Sequence, residues 1–353
     1  MSATRAAADS ARSEPAGPPH VVRRSRAGDV LLESLRTLRA NVLTLAGFVI
    51  TVVLGVTAVL VVVVPPVTHF LLGHALSILP YDPTAVPATG GTGYPQPPSG
   101  QHWFGTDELH RDVLSRVVAA LPLDLTIGIV VTGLAIFIGA GLGLVAGFWE
   151  QGPVGRATSA TILRITDVFL AFPTLVLAIA LTAIFGHSVD VLTAVVIALT
   201  VTWWPYYVRI VRGEVLVIKQ QGYIHAARLA GLSEARILVR HVLRNLLEPL
   251  TVYATLDVGT VIVTFSTVTF VLPLPTSVIE WGSMVNLYQS QLPAGWWLVA
   301  GPGLAIFATV LGLSLLGDGL RDVLDPRTRR AFAKEAQTST APAPVTTLSD
   351  GGE

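Results

Sequence analysis

Residues 125–148 read LTIGIVVTGLAIFIGAGLGLVAGF, twenty-four residues without a charge, an amide side chain or a proline. About 20 helical residues cross the roughly 30 Å hydrocarbon core of a bilayer, so this stretch is long enough to span it. Gly139, Gly143 and Gly147 repeat the G-x-x-x-G spacing, which lets helix backbones approach closely in lipid. A packing face against another helix is expected there; the plainer alternative is that glycine is common in membrane helices anyway.

Similar apolar stretches occur at 45–64, 168–186, 191–208 and 296–317, and a sixth at 249–272 is interrupted by Asp257. The reading is six spans in an all-α membrane protein. Composition agrees: 52% of the 353 residues are hydrophobic and 13% charged, about half the charged share of a soluble domain. With no cysteine, disulfide frameworks, thiolate metal sites and thiol nucleophiles are excluded.

The formal net charge is zero, but the basic residues are polarised. With the N-terminus inside, 21 of the 23 lysines and arginines fall in the tails and in the loops after the second and fourth spans. Only Arg111 and Arg116 lie on the other side. Orientation follows basic residues in loops, which places both termini in the cytoplasm. No cleavable signal is expected, because the first 40 residues contain no apolar core. Residues 1–41 and 326–353 read as polar, largely disordered cytoplasmic tails around a permease domain at 42–325.

The first outer segment, 65–124, begins rich in Pro and Gly and ends in HWFGTDELHRDVLSRVV. Thr106 is placed to cap an interfacial helix with Asp107 and Glu108 in its first turn. The i,i+4 spacings of Asp107/Arg111 and Asp112/Arg116 would pair the two outside arginines on that helix. Gly105 precedes the run. In the third span, Pro173 predicts a kink.

Catalytic patterns are missing: there is no G-x-S-x-G, no H-E-x-x-H, and neither Lys219 nor Lys334 follows a glycine as a P-loop requires. The informative region is the basic cytoplasmic loop, 209–248, with a small-residue element Ala226-Ala227-Arg228-Leu229-Ala230-Gly231 at its centre. Interleaved apolar, small and arginine residues suit a docking element for a cytoplasmic partner. Asp257, about two turns inside its span, should face a partner or an aqueous cavity. One reading puts it on a translocation path; the other makes it a structural partner of an arginine near the cytosolic side, from this chain or from a second permease.

The loop resembles the E-A-A loop of permease subunits in binding-protein-dependent ABC importers, whose E-A-A-x-x-x-G helix docks into an ATPase. Ala226, Ala227 and Gly231 match that pattern, and His241, Asn245 and Pro249 lie where its H-x-x-P-N-x-x-x-P tail would. Trp204, Arg209 and Arg212 match the approach to the loop. PYDP at 80–83, GTDELHRDVLSR at 105–116, Asp167 with Phe172-Pro173, WGSM at 281–284 and GDGLRDVLDPR at 317–327 are similar to the C-type permease of the dipeptide, oligopeptide and nickel branch. The departures are His225 for the glutamate, His110 for a glycine before R-D, Arg244 for a proline, and Pro273 and Pro275 in a segment usually rich in glycine.

The resemblance implies a type I importer permease in the bacterial inner membrane, not itself an enzyme. ATPase coupling would fall to His225, Ala226, Ala227, Arg228 and Gly231, with Arg212 and Arg240. An outer gate would be formed by Gly105, Thr106, Asp107, Arg111, Asp112 and Arg116. Implied partners are a second, homologous permease, two ATP-binding subunits and an extracytoplasmic substrate-binding protein, with no nucleic acid. No cofactor or metal is expected in this chain; ATP and Mg would sit in the ATPases. The cargo is expected to be a peptide, with nickel or another small solute as the alternative. A gradient-driven secondary transporter, which would show inverted repeats and several intramembrane charges, and a membrane scaffold recruiting a cytoplasmic protein are the competing classes.

Overall fold

The computed structural model describes residues 42–72, 74–86 and 94–324, so both expected tails lie outside the described residues. Among the described residues the protein is helical, with one isolated antiparallel bridge between Thr106 and Asp112. Five helices are long and apolar enough to cross a membrane, and a bent pair raises the number to six if it counts as one span.

Helix α1, Val42–Leu72, runs through Pro65 and Pro66, so the first span does not end at residue 64 as expected. Each proline removes one i→i−4 hydrogen bond and its ring crowds the carbonyl four residues back, a cost that membrane helices tolerate when neighbouring groups such as a threonine hydroxyl bond the local carbonyls. Thr68 Oγ1 donates to the Val64 and Pro65 carbonyls and holds that turn together. Most of α1 faces outward, with Val49, Val52, Val53, Val56 and Val59 exposed, as suits a helix bathed in lipid.

Helix α2, Val113–Phe148, is a single 36-residue helix. The expected interfacial helix before it is not formed: residues 105–112 make a tight loop, and the cap is Asp112 rather than Thr106. Asp112 in an extended conformation accepts from Ser115 N, a bond Thr106 could make only by starting the helix six residues earlier.

The third expected span breaks into α3, Gly152–Leu170, and α4, Thr174–Phe185, bent by 89°. The predicted kink is therefore a corner. Pro173 lacks an N–H and disfavours helical geometry at Phe172, so the chain turns there. Twelve residues in α4 rise about 18 Å, too short to cross alone.

Helix α5, Val191–Lys219, starts on Asp190, which accepts from the Thr193 amide and hydroxyl, and continues eleven residues beyond the expected span end. After the short α6, Gly222–Leu229, helix α7 runs 38 residues over Glu234–Val271, with a π-helical stretch at Leu238–Val242. The expected 209–248 loop thus shrinks to α6 and its flanks. Two further helices follow, α8 over Trp281–Tyr288 and α9 over Trp296–Leu324.

Helices α2 and α5 make the central seam. Val195, Leu199, Trp203, Tyr207, Val211 and Val215 are buried along one stripe of α5 at four-residue spacing. Against them lie the three glycines of α2. A Cβ on Gly139 would fall on the Tyr207 Cβ and the Trp204 carbonyl; on Gly143 it would stand 2.8 Å from the Val211 Cβ; on Gly147, 3.0 Å from the Val215 Cβ. Lys219 closes the seam by donating Nζ to the Gly147 and Phe148 carbonyls at 2.9 and 3.1 Å, a cation at the negative end of α2. Glycines also bring α1 against α9, where Gly312 meets Ile50 and Gly319 meets Thr44.

Overpacking a close helix contact costs about 1–3 kcal/mol per site. Gly143→Leu is expected to lower the thermal midpoint of the detergent-purified protein by several degrees. Gly141→Leu, two residues away with nothing within 4 Å of its Cβ direction, should leave it unchanged. Equal midpoints for the two variants would contradict the seam.

Candidate functional site

The two ends of the bundle carry the two sets of candidate residues. At one end, the eight-residue α6 is bounded by geometry that the sequence pattern encodes. Its C-terminus is a complete Schellman turn: Gly231 N donates to the Arg228 carbonyl and Leu232 N to the Ala227 carbonyl, at 2.9 and 3.1 Å. Gly231 has φ +78°, a left-handed conformation that a side chain resists, which is the physical reason for a glycine four residues after the second alanine. Arg228 pairs with Glu234 through Nε at 2.9 Å and Nη2 at 3.3 Å, bracing α6 against the first turn of α7.

Helix α6 is anchored on one side and bare on the other. Ile224 is fully buried, and Ala227 and Leu232 pack against the main core. His225 and Ala226 are exposed, and Leu229 is 90% exposed. Of the predicted residues, His225, Ala226 and Arg240 thus face outward, Ala227 is half-buried, and Arg228 and Gly231 shape the turn. Arg212 instead bonds Glu150 at 3.1 Å, tying α5 to the turn between α2 and α3. Sequence reading missed Leu229 and the anchor Ile224. Leu229 lies four residues after His225, so the 3.6-residue period alone would have put the two on one face.

At the opposite end, motifs spread over two hundred residues meet in one knot. Asp107, 1% exposed, accepts from Arg111 Nε at 2.8 Å, from the Leu109 and Arg111 amides at 3.0 and 2.9 Å, and from the Tyr288 hydroxyl at 2.9 Å. The Asp107–Arg111 pair is real but belongs to a loop, not a helix. Asp112 does not pair with Arg116: one oxygen caps α2 and the other bonds His102 Nδ1 at 2.8 Å. Arg116 donates to the Pro83 carbonyl at 2.9 Å, and Ser115 Oγ accepts from Tyr81 N at 3.1 Å, which brings PYDP onto the start of α2. Trp281 of WGSM donates its indole N–H to the Val117 carbonyl at 3.0 Å. Thr106 exchanges bonds with Gln96, and at Gly105, with φ +66°, a side chain would collide with the Gln96 carbonyl and the Trp297 indole.

Two buried carboxylates behind this knot were not foreseen. Glu280 is fully buried and caps α8, accepting from the Gly282 and Ser283 amides and from the Thr269 hydroxyl. Burial pushes its carboxyl above the ordinary value. Asp124, also fully buried, accepts from Trp281 N at 3.4 Å. Neither announces itself in sequence, since a single acid beside an apolar run looks like a span end.

Asp257 sits partly buried in α7, facing Tyr207 and Trp203 of α5. The Tyr207 hydroxyl makes no hydrogen bond within 3.5 Å, so this is an electrostatic contact rather than a closed bond. Among the described residues, Asp257 takes part in no ion pair within 4.0 Å.

A mostly apolar helical bundle, a braced and partly bare surface helix at one end, and a charged knot at the other define a multi-pass membrane transport component. The chain belongs to the binding-protein-dependent transport system inner membrane component family, whose model matches residues 139–330. It is 38% identical over 284 residues to the probable D,D-dipeptide transport system permease protein DdpC of Escherichia coli, covering 80% of this chain and 89% of that protein. It is 40% identical over 238 residues to the dipeptide transport system permease protein DppC of Alkalihalophilus pseudofirmus, covering 66% and 74%. It is also 40% identical over 239 residues to the glutathione transport system permease protein GsiD of Shigella boydii, covering 65% and 74%.

His110 is a non-glycine residue held at φ +56°. A left-handed conformation costs an L-residue about 1–2 kcal/mol, and a β-branched one more. His110→Val is therefore expected to destabilise the protein by about 1–2 kcal/mol, while His110→Gly stays within about 0.5 kcal/mol of the parent because glycine's backbone entropy offsets the relief. Denaturation of the purified protein in detergent reads both; a stable His110→Val would contradict the strained turn.

Proposed function

We propose that this chain is the permease half of an ATP-driven peptide importer, with six spans and both termini in the cytoplasm. The basic residues on the α6 side and the α6 turn itself support that orientation. The relatives named for dipeptide and glutathione transport support a peptide cargo. The observation that carries the reading is the form of α6: an anchored eight-residue helix, stopped by a Schellman glycine, with Leu229 almost fully exposed.

An exposed leucine beside two small residues is a ready anchor for a groove on a partner, since a few buried apolar contacts carry most of an interface. The partner is an ATP-binding subunit, present twice, with ATP and Mg held there and none in this chain. When the ATPases close, α6 moves with them. Its brace to α7 through Arg228–Glu234 and its anchor in the core pass that motion to the α2–α5 seam as a rigid-body shift. Here His225, Ala226 and Leu229 make the contact, Ala227 and Gly231 set the shape, and Arg240 lies on the flanking exposed surface of α7.

The remaining parts of the assembly follow from the half-built pore. A second, similar permease completes the pathway, and Asp257, which makes no ion pair among the described residues, faces that pathway or the second permease. A substrate-binding protein delivers cargo to the knot around Asp107 and Arg111. Leu229→Asp is expected to abolish ATP-dependent uptake of a labelled dipeptide in vesicles holding the whole importer, while the chain still inserts. Bulky replacement of Ala227 or Gly231 should act the same way. Normal uptake in the Leu229→Asp importer would overturn the coupling role of α6.

A further inference from the structure

The outer knot leaves one buried cation without a counter-ion. Arg116 is 4% exposed, donates Nη1 to the Pro83 carbonyl, and has no partner for Nε. It takes part in none of the ion pairs among the described residues, whereas its neighbour Arg111 is satisfied by Asp107. A buried guanidinium opposed only by a carbonyl keeps most of its charge uncompensated, a costly state that an arriving anion relieves.

Arg116 and Arg111 line a recess of about 190 Å³, together with Glu280, Asn286, Leu274 and Leu287. Glu280 lines the same recess but makes no ion pair with Arg116: its oxygens accept from the Gly282 and Ser283 amides and the Thr269 hydroxyl. Asn286 donates Nδ2 to the Phe270 carbonyl at 2.7 Å, which leaves its side-chain oxygen as an acceptor for an N–H. One cation, one amide oxygen and an apolar wall in a space of single-residue size match the end of a peptide, with its carboxylate, its last N–H and one side chain.

We propose that this recess holds the C-terminal residue of the peptide cargo, with its carboxylate on Arg116 and its side chain against Leu274 and Leu287. The proposal rests on the importer reading and places a cargo contact at the outer end of this permease, separate from whatever selectivity the delivering protein has. A guanidinium–carboxylate bond is about twice as strong as a neutral one, so removing either charge should be visible in affinity.

The test uses the complete importer in nanodiscs, without its delivering protein, and equilibrium binding of radiolabelled alanyl-valine and of the C-terminal amide of the same peptide. The free acid should bind at least about tenfold more tightly than the amide. Arg116→Gln should weaken the acid about tenfold and leave the amide unchanged. Leu287→Trp fills the recess from its 44%-exposed rim without touching the Arg116–Pro83 bond, and should weaken the acid equally even if Arg116→Gln loosens the knot. Equal binding of acid and amide, or unchanged acid binding in Leu287→Trp, overturns the proposal. In a separate pull-down with the delivering protein added back, loss of its salt-sensitive capture in Leu287→Trp, with no acid–amide discrimination, also overturns it and makes the recess a docking point for an acidic side chain. Failure of the wild-type importer to move labelled peptide with ATP would instead sink the importer reading itself.

Discussion

The contact on which the structure depends is the seam where Gly139, Gly143 and Gly147 of α2 meet Tyr207, Val211 and Val215 of α5. In lipid there is no hydrophobic gain from bringing two apolar helices together, so association rests on close packing and on buried polar contacts. Three missing side chains at four-residue spacing let a stripe of bulky residues close on the α2 backbone. Lys219 then ties the end of α5 to the last carbonyls of α2. The short helix α6 follows directly from that end of α5, so the proposed docking element is connected to the seam.

The two ends solve opposite problems with the same economy of charge. At the α6 end, basic residues are plentiful but the pairs that matter are braces: Arg212–Glu150 holds the turn between α2 and α3, and Arg228–Glu234 holds the helix. At the other end Arg111 in the loop and Arg116 in the first turn of α2 are both drawn into the knot around Asp107 and Pro83. The knot gathers residues 81–83, 105–116 and 281–288, so stretches far apart in the chain meet in one set of hydrogen bonds.

Much of this was legible in the sequence, and the failures have causes. Apolar runs of span length identified the helices, and the G-x-x-x-G repeat marked the seam, because both follow from bilayer thickness and backbone sterics alone. The glycine of the α6 turn was legible as a pattern, while its φ of +78° supplies the reason. What misled was local spacing taken without its tertiary setting. Asp107/Arg111 at i,i+4 looked helical but closes a loop, and Asp112, which looked like a partner for Arg116, caps α2. Pro65 and Pro66 looked like a helix end and are carried within one, whereas Pro173 looked like a kink and makes an 89° corner. Glu280 and Asp124 were invisible because their burial depends on the return of α8 over the start of α2, a contact no local pattern encodes.

The central claim is that α6 is the surface on which a separate ATPase acts. The chain has no cysteine, so a single Leu229→Cys change gives a unique thiol on that surface. In the assembled importer, a short thiol-reactive photocrosslinker at position 229 should capture an ATP-binding subunit, with a yield that changes when ATP is added. Capture of the ATPase from Leu109→Cys at the opposite end, with none from position 229 in an importer that still copurifies intact, would contradict it.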